Sequence, residues 1–294
     1  MSTFWIILTG ALVAASCGIV GCFLVLRKMA MIGDAISHSV LPGIVIAFLL
    51  SGSRDSLFML LGAAALGLVT VFLIQWLHRS GVQSDASIGV VFTALFAVGV
   101  ILVSLYTRDI DLDLDCVLYG EIAYVPWNTI QIGGTDIGPK AVWGIGLALL
   151  LIVLIVGAFF KQFKLCAFDP ALAAAVGIPV ALFHYLLMGL VSVSTVASFE
   201  SVGAILVVGM LVVPPATAYL LTDSLTRMIG YSVLVGCGSS VAGYYVARIL
   251  DASISGSMVC VAGAMFLLAL LLSPKHGVLV RQWKQRRFAR ERSA

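Results

Sequence analysis

Phe4-Trp-Ile-Ile-Leu-Thr-Gly-Ala-Leu-Val-Ala-Ala-Ser-Cys-Gly-Ile-Val-Gly-Cys-Phe-Leu-Val-Leu26 contains no charged side chain. A helix needs about 20 predominantly apolar residues to cross the hydrocarbon of a bilayer, so this run is long enough to span. No basic segment precedes it, and a secretory signal would need one. We therefore expect a retained first membrane helix over 4–26. Working outward, similar runs recur at 33–50, 56–77, 87–106, 141–160, 181–198, 202–221, 229–249 and 255–273. The whole chain is 61% hydrophobic and only 11% charged, with a mean hydropathy of +1.13. A soluble domain carries about 25% charged residues, so this composition cannot cover a water-facing surface, and the apolar surface must face lipid. The expected fold is an all-α polytopic membrane protein: about nine transmembrane helices in one bundle, some broken or kinked. Residues 1–274 form the membrane domain and 275–294 a basic tail.

Lys and Arg in short loops mark the cytoplasmic side. With the N-terminus outside, the inner loops hold Arg27, Lys28, Arg79, Lys161, Lys164 and Arg227. The tail adds Lys275, Arg281, Lys284, Arg286, Arg287, Arg290 and Arg292, while only Arg54, Arg108, Lys140 and Arg248 fall outside. This asymmetry predicts an outer N-terminus and a cytoplasmic C-terminus in the cell membrane. A basic tail also suits nucleic acid, but after a run of spans it marks topology, and no nucleic-acid partner is expected. The six cysteines include no C-x-x-C pair, so neither a disulfide framework nor a zinc knuckle is indicated.

Segment 107–140 is the longest outer loop and carries Asp109, Asp111, Asp113, Asp115 and Glu121. It reads either as an acidic funnel that attracts cations or as a solvated loop. Small residues four apart, Ala63/Gly67 and Ser239/Gly243, let helices approach closely in lipid.

The chemistry concentrates in Met31-Ile-Gly-Asp-Ala-Ile-Ser-His-Ser-Val-Leu-Pro-Gly43. Asp34 and His38 are four apart, which puts both on one face of a helix. A carboxylate beside an imidazole suits a first-row divalent metal ion. An ionisable group inside a span costs a few kcal/mol and has a function or a partner. Pro42 and Gly43 would break the helix and free backbone carbonyls nearby. Against this stands a simpler reading, in which Asp34 is a helix cap or an interfacial ion-pair partner. Glu200, in Ser198-Phe-Glu-Ser-Val-Gly203, caps a tight outer turn or supplies a carboxylate where broken helices meet. His184 opens the sixth span and reads as a packing residue rather than a ligand. Pro214-Pro215 is expected to kink the seventh span. In the loop Lys161–Pro179, Asp169 can cap a short helix with Pro170 at its first position. Residues 171–176 would form that helix and Gly177 would end it, on a connector that reads as a docking element or a plain surface link. The chain has no G-x-x-x-x-G-K-[ST], no G-x-S-x-G and no H-E-x-x-H. It is therefore not expected to bind ATP itself or to act as an enzyme.

The stretch Gly33-Asp34-Ala35-x-Ser37-His38-x-x-Leu41-Pro42-Gly43 resembles the signature of permease subunits of the manganese/zinc ABC importer family (cluster A-I, ABC-3 type). The similarity continues through Asp111–Asp115 with Leu118–Glu121, Phe168-Asp169-Pro170 with Gly177-Ile-Pro179, and Val202–Leu206 through Pro214 and Ala216–Ala218. The resemblance implies a permease subunit that carries a divalent metal ion, manganese first and zinc or iron as alternatives. It implies a metal role for Asp34 and His38, with Glu200 as a further acid, and an ATPase-coupling loop at Phe168, Asp169 and Pro170. No permanently bound cofactor is implied; Mn²⁺ or Zn²⁺ is the substrate. The implied partners are a second permease subunit (the same chain or a sister), a cytoplasmic ATP-binding dimer, and an extracellular or periplasmic solute-binding protein. Two carboxylates and one imidazole lean towards Mn²⁺ over Zn²⁺. The competing readings are an ion-coupled secondary metal transporter, a permease for a larger metal chelate, and a membrane enzyme.

Overall fold

A computed structural model describes residues 2–39, 41–51, 56–106, 122–132 and 135–273. The acidic residues Asp109–Glu121 and the basic tail 275–294 lie outside the described residues. In chain order the helices are α1 (Ser2–Leu26), α2 (Met31–Ser39), α3 (Leu41–Ser51), α4 (Ser56–Arg79) and α5 (Ser84–Tyr106). After a 3-10 turn (Ile122–Trp127), strands β1 (Thr129–Ile132) and β2 (Thr135–Pro139) form an antiparallel hairpin. Then follow α6 (Lys140–Ala158), α7 (Phe160–Phe168), α8 (Pro170–Ala175), α9 (Val180–Leu221), α10 (Leu225–Leu250) and α11 (Ile254–Leu272). Among the described residues nine segments are long and apolar enough to cross a membrane, with α2 and α3 together making the second. The nine-span expectation and its order hold. The hairpin is an addition that the apolar pattern did not signal, because it lies outside every span.

Lipid gives the chain no water to satisfy its backbone, so each crossing must be helical. A span apolar all round can be central or peripheral, and packing decides which. α1 is central. It lies against α9, α10 and α6 and buries Val13, Ala14, Cys17, Val20, Cys22 and Phe23. α6 is peripheral and leaves Leu147, Leu150 and Leu154 exposed, as a lipid-facing helix should. Small residues set the closest approaches, as their spacing suggested: a Cβ on Gly67 would run into Ser192 Oγ, and one on Gly243 would lie 2.7 Å from the Met258 nitrogen.

The decisive feature is α9. Its helical assignment runs for 42 residues, which a straight helix would extend to about 63 Å. Both of its ends nevertheless sit at the Leu26 end of α1. Arg27 bonds His184 near the start of α9, and Leu26 shares a cavity wall with Tyr219 and Thr222 at its finish. The segment therefore folds back on itself. The reversal falls at Gly203, whose φ of 79° and ψ of 167° lie in a region open essentially to glycine alone. The expectation placed the outer turn around Glu200. The backbone stays helical through Glu200 and breaks three residues later, where a residue without a Cβ permits it. The prolines do not break the helix either, since helical dihedrals run through Pro214 and Pro215. Pro215 does remove the donor that the Leu211 carbonyl would have had. That oxygen packs directly on Gly21 of α1, where any Cβ would collide with it.

The Gly203 conformation yields a stability prediction. Gly203→Ala forces a side chain into this region at a cost of about 1–3 kcal/mol and should lower the melting temperature of the detergent-purified protein. Gly144→Ala, in open space on α6, should leave the melting temperature unchanged or raise it. Equal melting of Gly203→Ala and the parent chain would show that the reversal needs no glycine.

Candidate metal-ion site

α2 is a short helix with two distinct faces. Ile32, Gly33, Ala35, Ile36, Ser37 and Ser39 are buried against the bundle. Gly33 is there because the Leu211 side chain occupies the space a Cβ would need. The two serines do not leave hydroxyls stranded: Ser37 Oγ donates to the Gly33 carbonyl at 3.0 Å, and Thr70 Oγ1 of α4 donates to Ser39 Oγ at 2.8 Å. This anchoring fixes the rotation of α2 and turns Asp34 and His38 to the other side.

On that side His38 Nε2 stands 3.5 Å from Asp34 Oδ1, the i,i+4 contact that the spacing predicted. The side chains keep 36% (Asp34) and 29% (His38) of their exposure, so their polar atoms stay reachable from one side. Asp34 lies in the first turn of α2, where the helix dipole favours a negative charge. Asp34 is the fourth residue of α2 and not its cap, so of the two simpler readings only the ion pair, with His38, is formed. The His38 ring rests on Phe92 and Phe96 of α5, at centroid distances of 5.9 and 5.8 Å. Apolar walls of this kind fix the ring and limit water around the pair. Sequence reasoning missed both phenylalanines. Their four-residue spacing is visible, but it looks the same on a helix that only faces lipid.

One carboxylate and one imidazole supply two or three donor atoms. Among the described residues no group of three or more His, Cys, Asp or Glu side chains gathers. The Glu200 backbone belongs to α9 near the Gly203 reversal, and its side chain lies outside the described residues. His184 is not a ligand candidate here. Its Nδ1 accepts from Arg27 Nη1 at 3.1 Å, away from the Asp34–His38 pair.

The short capped helix forms as its residues predicted. Asp169 caps α8, its Oδ1 accepting from the Leu172 N–H at 2.9 Å, and Pro170 takes the first helical position. Gly177, at φ 87°, ends the turn after Ala175. Phe163, Cys166 and Ala173 are buried while Phe168, Leu172 and Val176 stay exposed. A helix outside the spans thus presents an apolar edge to water. Arg27 Nη2 also donates to the Cys166 carbonyl at 3.2 Å, which ties this element to the end of α1. Burial raises the Cys166 thiol above its ordinary range, so it stays a neutral packing group.

Comparison with known proteins gives a consistent picture. Residues 2–273 match the model of the ABC 3 transport family. The chain is 55% identical over 289 residues to the manganese transport system membrane protein MntD of Bacillus subtilis (strain 168), covering 98% of each. It is 41% identical over 280 residues to the zinc transport system membrane protein TroD of Treponema pallidum (strain Nichols), covering 95% of this chain and 76% of TroD. The solved structure of PsaBC from Streptococcus pneumoniae in complex with Fab superposes with a TM-score of 0.78 at 34% identity, over 92% of each chain. A bundle of apolar spans, an ionisable pair on a buried short helix and a match along nearly the whole length together make this chain a multi-pass membrane protein of the ABC 3 transport family.

Proposed function

We propose that this chain is the permease subunit of an ATP-driven importer for divalent metal ions, with manganese as its cargo. The observation that carries the reading is the Asp34–His38 pair, set four residues apart on α2 with polar atoms still accessible inside a membrane-spanning segment. A charged residue in a span costs about 2.5–3.5 kcal/mol on insertion scales, and ion handling is the use that offsets it. A first-row ion takes more donors than this pair has. Glu200 and a second permease subunit, either this chain again or a sister, are the proposed sources of the rest. A carboxylate-rich set favours Mn²⁺ over Zn²⁺, in line with the manganese relative at 55% identity. Zinc is the second reading, favoured by the likeness to TroD.

The chain has no nucleotide-binding motif of its own, so ATP hydrolysis falls to a separate cytoplasmic ATP-binding dimer. The proposed contact is the exposed edge at Phe168, Asp169 and Pro170 and along α8, which leaves apolar side chains in water unless something covers them. An external solute-binding protein would deliver the ion from the opposite side. In this orientation the N-terminus faces out, and the Leu26 end of α1, α8 and the basic tail 275–294 face the cytoplasm, as the Lys and Arg distribution favours. The ion is cargo, and no permanently bound cofactor forms part of the proposal.

Uptake of ⁵⁴Mn into cells that express this chain with its neighbouring ATPase and binding protein tests the reading. We expect ATPase-dependent uptake that excess Zn²⁺ does not abolish, and a fall to background for Asp34→Ala or His38→Ala at normal membrane expression. Normal uptake by either variant would remove the pair from the pathway. Zinc uptake without manganese uptake would replace the ion but keep the family role, and uptake without the ATPase would favour an ion-coupled transporter.

The cap on α8 gives a separate expectation. Asp169→Ala removes a bond worth about 0.5–2 kcal/mol to its helix and should lower transport and ATPase co-purification together. Asp169→Asn keeps an acceptor at the cap and should restore both. Failure of Asn to rescue would mean that the charge of Asp169, not its capping, matters.

A further inference from the structure

A cavity of about 520 Å³ opens at the Leu26 end of the bundle, apart from the Asp34–His38 pair. Its walls include Arg27, Lys28, Gln75, Arg79 and His184, with Pro170 of α8, and among the described residues no acidic side chain lines it. These residues come from the ends of separate spans: one span ends at Leu26, one ends at Arg79 and one begins at Val180. The cavity therefore lies where hydrocarbon gives way to headgroups.

Positive loop residues are ordinary on a cytoplasmic face, but three features set this group apart. First, Arg27 is half-buried and has no carboxylate partner among the described residues. Burial pushes its guanidinium below its ordinary range, the direction expected for a cation drawn from water without a counter-charge. Second, arginine has no acceptor atom, so His184 Nδ1 must accept the Arg27 bond and the ring proton lies on Nε2. That Nε2–H is buried without an acceptor among the described residues. Third, Lys28 takes the left-handed conformation at the end of α1, with φ 59°, at a position where glycine is the usual residue. The chain carries a lysine into a backbone shape that disfavours it, and that lysine lines the same cavity. Cations with no carboxylate partner among the described residues, and an unused donor, around one hollow call for an anion with several acceptor oxygens.

We propose that this cavity is a binding site for a phosphate-bearing anion, namely the headgroup of an anionic phospholipid in the adjoining leaflet. Basic pockets between membrane helices at this level hold such headgroups. Arg27, held by His184 and the Cys166 carbonyl, is the oriented donor. Lys28 and Arg79, both exposed, close over the phosphate from the rim. A lipid so bound would bridge α1, α4 and the start of α9 beside the α7–α8 element.

Native mass spectrometry of the full-length purified chain, titrated with phosphatidylglycerol or phosphatidylcholine, tests this site. It requires neither metal nor ATP, so its result is independent of the importer reading. We expect retention of phosphatidylglycerol over phosphatidylcholine. The paired variant Lys28→Gln/Arg79→Gln, at exposed positions, should weaken that retention about tenfold or more. The control Lys161→Gln/Lys164→Gln, on exposed lysines that do not line the cavity, should leave it intact. Equal loss in both variants would reduce the effect to diffuse surface charge and overturn the site. Displacement of the lipid by millimolar inorganic phosphate would overturn the lipid as occupant. No preference for phosphatidylglycerol, together with loss of ATPase co-purification in Lys28→Gln/Arg79→Gln, would assign the cavity to an acidic side chain of that partner and overturn the proposal.

Discussion

The contact between Leu211 of α9 and the glycines of α1 and α2 organises the bundle. Leu211 sits in the returning arm of α9, beyond the Gly203 reversal, and its carbonyl rests on Gly21 while its side chain rests on Gly33. In lipid, helices gain little from hydrophobic association with one another, so close packing and polar contacts must hold them. A leucine wedged between two glycines supplies that packing. Pro215 leaves the Leu211 oxygen without its helical donor, and Gly21 lets the α1 backbone come close enough to cover it. A side chain at Gly21 would push α1 from α9, and one at Gly33 would push α2 from α9.

The orientation of α2 follows from this crossing. With Gly33 pressed on Leu211 and Ser39 bonded to Thr70, the helix cannot roll. Asp34 and His38 then have only the opposite side, against Phe92 and Phe96 of α5. A helix of nine residues is too short to span alone, and α3 completes the crossing. The pair proposed to handle metal thus sits on a piece of helix held by packing at its back and open in front. That arrangement suits a site that must take up and release an ion, since donors held on one side only do not enclose it.

At the Leu26 end the chain gathers the parts proposed to meet the cytoplasm. Arg27 links the end of α1 to the start of α9 and to α7, and α8 projects from the same region with its apolar edge exposed. Arg27 thus stands between the α7–α8 element and α1, and α1 carries the Gly21–Leu211 crossing on which α2 leans.

The sequence by itself determined the membrane class, the number and order of the spans, the Asp34–His38 spacing and the capped α8 turn. Each depends on local rules: run length against bilayer thickness, four-residue helical periodicity, and the capping chemistry of Asp-Pro and Gly. The position of the α9 reversal was not legible, because both Glu200 and Gly203 lie in a plausible turn and only backbone dihedrals choose between them. Phe92 and Phe96 were not legible either, since an aromatic on a wholly apolar helix looks the same whether it meets lipid or a histidine ring. Nor did spacing reveal that Arg27, Gln75, Arg79 and His184 share one cavity, because they lie on three spans far apart in sequence. Tertiary structure decided these points for one physical reason. In a chain this apolar, the hydrophobic pattern that normally tells inside from outside is nearly uniform, and only the packing of small residues against large ones sets which face meets which.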